Sequence, residues 1–117
     1  MIYLYQDKKG CPFLLWKEQM KKKEPAVYRK IEKMLMQMQS NELPLERPNV
    51  KKTPPQRTGS HCLYKIRLGS YRLFFLWKEQ DYYLLHAFRK SSNATPEKEF
   101  RIVKKELLKY QFIPYEN

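Results

Sequence analysis

The sequence predicts an α+β fold, a small antiparallel β-sheet packed by two N-terminal helices and one C-terminal helix, and three observations carry that expectation. Apolar residues recur at helical spacing between positions 12 and 38, alternate with polar ones between 61 and 89, and return to helical spacing after Thr95-Pro96. A chain of 117 residues holds one such domain, read here as spanning 1–117, and buries a modest core without disulfides or metals. With 42% hydrophobic and 15% aromatic residues it is too apolar for a disordered chain, although 31% of its residues are charged.

"MIYLYQ" is short, apolar and aromatic, and reads as the first strand. "CPFLLWKEQMKK" reads as the first helix, because Pro12 suits an opening turn and Phe13, Trp16 and Met20 share one face. A second helix follows Glu24-Pro25. It turns Val27, Ile31, Met34, Leu35 and Met38 inward and Arg29, Lys30, Glu32, Lys33 and Gln37 outward. Its methionines read as core filler rather than ligands. Residues 41–60, "NELPLERPNVKKTPPQRTGS", hold four of the eight prolines and read as a long basic, Pro-rich loop, a length that in a small domain commonly marks function or mobility.

Three antiparallel strands are expected next, near 61–68, 71–77 and 82–89, joined by Gly69-Ser70 and by the turn "KEQD". The closing helix begins near Thr95-Pro96, with Thr95 as N-cap, Pro96 in the first turn and Glu97 at the positive end of the helix dipole. Phe100, Val103, Leu107 and Tyr110 line one face of it.

A net charge of +12 on so short a chain implies an anionic partner, nucleic acid ahead of a membrane or an acidic protein. Half of that excess lies in residues 45–72, where Arg47, Lys51, Lys52, Arg57, Lys65, Arg67 and Arg72 face Glu46 alone. Cys11 and Cys62 form no metal-ligand motif and read as reduced thiols. The opening decamer lacks the basic-then-apolar order of a secretory signal, and no apolar run is long enough to span a bilayer. The expectation is a cytoplasmic protein with no cofactor, no metal and no membrane partner. "NAT" at 93–95 matches a glycosylation acceptor, which has no meaning in that compartment.

The stretch "LYKIRLGSYRLFF" carries the chemistry. Pairing Leu68 with Tyr71 around Gly69-Ser70 sets Arg67 directly opposite Arg72, and like charges at facing positions cost stability. Alternation sends Tyr64, Ile66, Leu68, Tyr71, Leu73 and Phe75 to a core face, and Lys65, Arg67, Arg72 and Phe74 to the other. Pairing Trp77 with Tyr82 continues that second face through Leu85, Ala87 and Arg89, and it turns His86 to the core beside Leu73. The result is a cluster of Lys65, Arg67, Arg72 and Arg89, with Lys90 beside it and no acidic neighbour. Such charges repel unless an anion sits among them. A phosphodiester gathered by guanidinium groups meets that need, and the same groups offset charge that builds on phosphorus in a transition state.

At these residues the chain resembles a known family. "CLYKIRLGSYRLFF" followed by "YYLLHAFRKSSNATPEKEF" is similar to the RelE/ParE superfamily of type II toxin-antitoxin toxins, most of all to its phage-derived, HigB-like branch. "DKKGCPFLLW" and the second helix also fit, so the resemblance covers nearly the whole chain, with 63–99 its diagnostic stretch. It implies a RelE-like fold and a ribosome-dependent endoribonuclease (mRNA interferase) that cuts mRNA through attack of the RNA's own 2′-hydroxyl. By motif position it implies Lys65, Arg67, Arg72, Arg89 and Lys90 as catalytic residues. Lys65 is the candidate proton acceptor, because cationic neighbours lower a lysine's pKa. Lys51, Lys52, Arg57 and His61 are expected to contact RNA or the ribosome.

Some members carry a tyrosine early in the last helix that assists proton transfer. The nearest positions here, Pro96 and Phe100, cannot do so, which brings His61 and His86 into consideration as substitutes. The resemblance also implies partners: a cognate antitoxin, HigA-like with a helix-turn-helix domain, the ribosome and mRNA, and DNA only through the antitoxin complex. Two other functions compete. One is a ParE-like toxin that inhibits gyrase by protein binding and needs no basic catalytic cluster. The other is a non-catalytic RNA-binding module, which would stack bases on aromatics such as Phe74 or Tyr83.

Overall fold

The computed structural model describes residues 1–116. The elements run β1 (Ile2–Tyr5), α1 (Pro12–Lys23), α2 (Pro25–Gln39), β2 (Val50–Lys52), α3 (Pro55–Thr58), β3 (Leu63–Leu68), β4 (Tyr71–Lys78), β5 (Asp81–Arg89), α4 (Glu97–Lys109) and β6 (Phe112–Pro114). The α+β class expected from the sequence is the class observed. One six-stranded sheet, ordered β2-β3-β4-β5-β1-β6, carries α1 and α2 on one face and α4 on the other.

Both N-terminal helices start on proline, where the missing N–H has no helical partner to lose. The residues expected inward are the buried ones: Phe13, Trp16 and Met20 on α1, and Val27, Ile31, Met34, Leu35 and Met38 on α2. They close over Ile66, Leu68, Leu73, Phe75, Tyr82 and Leu84 of the sheet. A second core lies under α4, where Phe100 and Val103 pack on Leu63, Phe74, Leu76, Leu85 and Phe88. Cys11 belongs to the first core and Cys62 borders the second, and both are free thiols.

Several details differ from the sequence expectation. The sheet is mixed, because β1 runs parallel to β5 while pairing antiparallel with β6. The 41–60 segment is partly ordered into β2 and the single turn α3, with Lys51 paired to Lys65. The β4–β5 connection is a two-residue loop in which Glu79 and Gln80 both take positive φ, 52° and 67°, so the strands reach Lys78 and Asp81. Thr95 does not cap α4, whose N-cap position is Pro96 with no side-chain cap.

The β3–β4 hairpin has the predicted register, including Leu68 with Tyr71 and Arg67 with Arg72. Gly69 takes a φ of 64° at the first loop position, as a type II′ turn requires, and a Cβ there would come within 3.1 Å of Val27 Cγ2. Between β4 and β5 the register starts as expected, with Trp77 on Tyr82, and then slips. Phe75 faces Leu84 but Leu73 faces Ala87, so Leu85 and His86 together oppose Phe74 in a β-bulge. Every side chain beyond it changes face. Ala87 joins the core under α1 and α2, and Phe88 joins the core under α4.

Candidate functional site

The β2–β3–β4 end of the sheet is left uncovered on its α4 side, and an open cleft of about 640 Å³ lies there. Its floor is Lys65, Arg67 and Arg72; Lys51 and Arg47 come from the β2 side, Arg57 from α3 and Lys90 from the end of β5. Seven cations therefore line it, with no acidic side chain among the described lining residues. A second depression, lined by Ser70, Ser91 and Ser92, shares Arg67, Arg72, Lys90 and Asn93 with the first and continues it past the hairpin turn.

Local structure holds these groups in place. Thr53 anchors the loop to β3 through its N–H at 2.9 Å and its hydroxyl at 3.0 Å, both donated to the Leu63 carbonyl. The Arg67 N–H reaches the Asn49 carbonyl at 2.8 Å, and the Lys90 N–H reaches the Ser70 carbonyl at 2.8 Å. Arg72 donates to the carbonyls of Gly69 and Tyr71, at 3.0 and 2.8 Å, which fixes its guanidinium over the turn. Lys65 donates through Nζ to the Thr95 hydroxyl, just before α4.

The electrostatics follow from this crowding. Burial, then the charges of Lys90, Lys51 and Arg72, bring the Lys65 pKa from 10.5 down to about 8. Burial and Arg67 lower Arg72, and burial with Arg72, Arg67 and Lys51 lowers Lys90. At pH 7 a lysine of pKa about 8 is neutral in roughly one molecule in ten, against fewer than about one in a thousand for an ordinary lysine. The cleft thus holds fixed cations and one amine able to take a proton near neutrality.

Of the expected catalytic residues, Lys65, Arg67, Arg72 and Lys90 line the cleft and Arg89 does not. The bulge pairs Arg89 with Tyr71 on the face of α1 and α2, where the Tyr71 hydroxyl donates to Glu24 at 2.8 Å. The same bulge turns His86 away from the core beside Leu73 and onto Glu99 of α4, Nε2 to Oε1 at 2.7 Å. Among the expected RNA contacts Lys51 and Arg57 line the cleft, whereas His61 and Lys52 lie outside it. Lys52 pairs with Tyr64, one residue out of phase with Lys51.

Phe74 is fully buried between Phe88 and Phe100, at 5.7 and 5.5 Å, and Tyr83 is stacked on Tyr3 at 5.0 Å, so neither presents a face in the cleft. Arg47, Asn93 and Thr95 line the cleft as well, beyond the site residues that the sequence predicts. Only Arg47 had a signal, the unbalanced charge of the loop.

A family model for phage-derived Gp49-like proteins (DUF891) matches residues 18–108. The chain belongs to that family. Gp49-like proteins are toxin-like and related to RelE-type toxins. The match spans α2, the basic loop, the hairpin, β5 and most of α4, so every cationic residue of the cleft falls inside the Gp49-like region. No curated protein matches the chain. No helix of the described residues is long and apolar enough to cross a membrane.

Proposed function

We propose that this Gp49-like protein is the toxin of a toxin-antitoxin pair and acts as a ribosome-dependent endoribonuclease on mRNA, with the basic cleft as its active site. The observation that carries this reading is the convergence of Lys65, Arg67, Arg72 and Lys90 in one cleft with no acidic side chain among the described lining residues. Arg67 and Arg72 hold the scissile phosphate and offset the charge that develops on it. Lys65 accepts the proton of the attacking 2′-hydroxyl, and Thr95 keeps its amine aimed into the cleft. Attack forms the 2′-oxygen–phosphorus bond and releases the 5′-oxygen. Lys90 lines the same cleft, and its lowered pKa favours giving that oxygen a proton. A HigA-like helix-turn-helix antitoxin neutralises the protein and connects it to DNA.

In vitro translation with purified protein, with message ends mapped by primer extension, tests the proposal. Wild type is expected to cut ribosome-bound message and Arg72→Ala to lose the cutting while still folded. Intact message in the presence of wild type overturns the nuclease reading, and a supercoiling assay for gyrase inhibition then becomes the decisive measurement.

A further inference from the structure

Among the seven cations of the cleft, Arg57 differs in how it is held. Its guanidinium carbon lies 4.4 Å from the centroid of the Phe100 ring, and Nη2 donates to Glu97 Oε2 at 2.8 Å. Phe100 is only 7% exposed and packs on Phe74, so the ring under the guanidinium is fixed by the core. Two elements, α3 and the first turn of α4, thus pin one planar group at the cleft wall.

Glu97 already offsets the charge of Arg57, which makes Arg57 a weak clamp for phosphate beside Arg67 and Arg72. An ion pair exposed to 43% and 63% also adds little stability. The remaining property is shape: a flat, weakly hydrated cation, backed by an aromatic ring on one side, 43% exposed and lining the cleft. A single strand drawn into the cleft by its phosphates must place its bases somewhere. Phe100 is the one aromatic residue among the described lining residues, and Arg57 covers it.

We propose that Arg57 is a stacking shelf for one nucleobase of the RNA, adjacent to the phosphate held by Arg67 and Arg72, and so a specificity-determining residue. The inference rests on the nucleic-acid reading of the cleft. Stacking on a flat cation accepts any base but weights them by the strength of stacking, which gives a graded preference rather than a strict sequence code.

The test uses deoxyhexanucleotides, which lack the attacking 2′-hydroxyl, with one abasic position walked along the strand and binding measured at low salt. Wild type is expected to lose about tenfold in affinity when the abasic position falls on the shelf. Both Arg57→Ala and Arg57→Lys are expected to bind the abasic and complete strands alike, because lysine restores the charge but not the plane. Circular dichroism confirms that these exposed-site variants fold. An abasic penalty that survives Arg57→Ala overturns the shelf, as does a wild type that binds the whole abasic series equally while Arg72→Ala binds none of it. Failure of wild type to bind any strand overturns the shelf as a base site of the free protein, and binding untouched by Arg72→Ala removes the cleft as the nucleic-acid site and the shelf with it.

Discussion

Arg67 and Arg72 face each other across the β3–β4 pair, and among the described residues no carboxylate forms an ion pair with either. The hairpin positions a local repulsion beside Lys65 and Lys90, and an anion relieves it. Stability and function therefore pull in opposite directions at this pair. Arg67 is the exposed member and makes no side-chain hydrogen bond among the described residues, so its replacement isolates the charge. Arg67→Thr, which keeps a strand-forming side chain, is expected to raise unfolding free energy by about 0.2–1 kcal/mol at low salt. Added salt should shrink the difference. Urea denaturation at two ionic strengths checks this, with the translation assay reporting loss of cutting in the same variant.

Lys65 gives the site a pH signature. Its folded pKa of about 8 lies below the unfolded value of 10.5, so the folded state binds fewer protons between those values. Its unfavourable contribution is full below about pH 8 and is relieved as pH rises toward 10.5. Chemical denaturation across that window should show wild-type stability rising relative to Lys65→Met. Under the proposed mechanism, cleavage should increase about tenfold per pH unit below 8 and level off above it, and Lys65→Arg should abolish the dependence together with most of the rate.

Phe74 closes the core beneath α4. Phe74→Ala is expected to cost about 3–5 kcal/mol, measured by urea denaturation, because the ring packs between Phe88 and Phe100 with nothing to fill the space. Loss of activity in that variant should track loss of folded protein. A folded Phe74→Ala protein with impaired RNA contact alone would mean that the ring is a binding surface after all.

Glu106 is buried against β5, with one carboxylate oxygen lacking a hydrogen-bond partner. Burial and the charge of Asp7 raise its pKa to about 7, opposed by the backbone N–H of His86. A raised carboxylate pKa means that the folded state binds more protons between the unfolded value of 4.5 and about 7, so stability falls as pH climbs through that range. Glu106→Gln should be more stable than wild type at pH 8 by about 1–3 kcal/mol. The gap should close as the pH is lowered to about 4.5, which thermal or urea unfolding against pH reads directly.

Helix faces, strand periods and the β3–β4 register are local properties. Val27, Ile31, Met34, Leu35 and Met38 announce the inner face of α2, and Gly69-Ser70 announces the turn that opposes Arg67 and Arg72. For that reason most of the cleft floor is legible in residues 63–75 alone. Tertiary contact decided the rest. The bulge at Leu85 and His86 exists because Phe88 packs under α4 and His86 meets Glu99, two relationships that alternation cannot carry, and it moves Arg89 out of the site.

The edge strands β2 and β6 are three residues each, too short to leave a period, and take their places only by pairing with β3 and β1. Thr95 reads locally as a helix cap, yet the fold brings Lys65 to its hydroxyl across 30 positions of sequence. Local pattern dictates the elements and the charge. Long-range packing chose which of those charges share one cleft, because sequence pattern is set by neighbours along the chain whereas a binding site is assembled from neighbours in space.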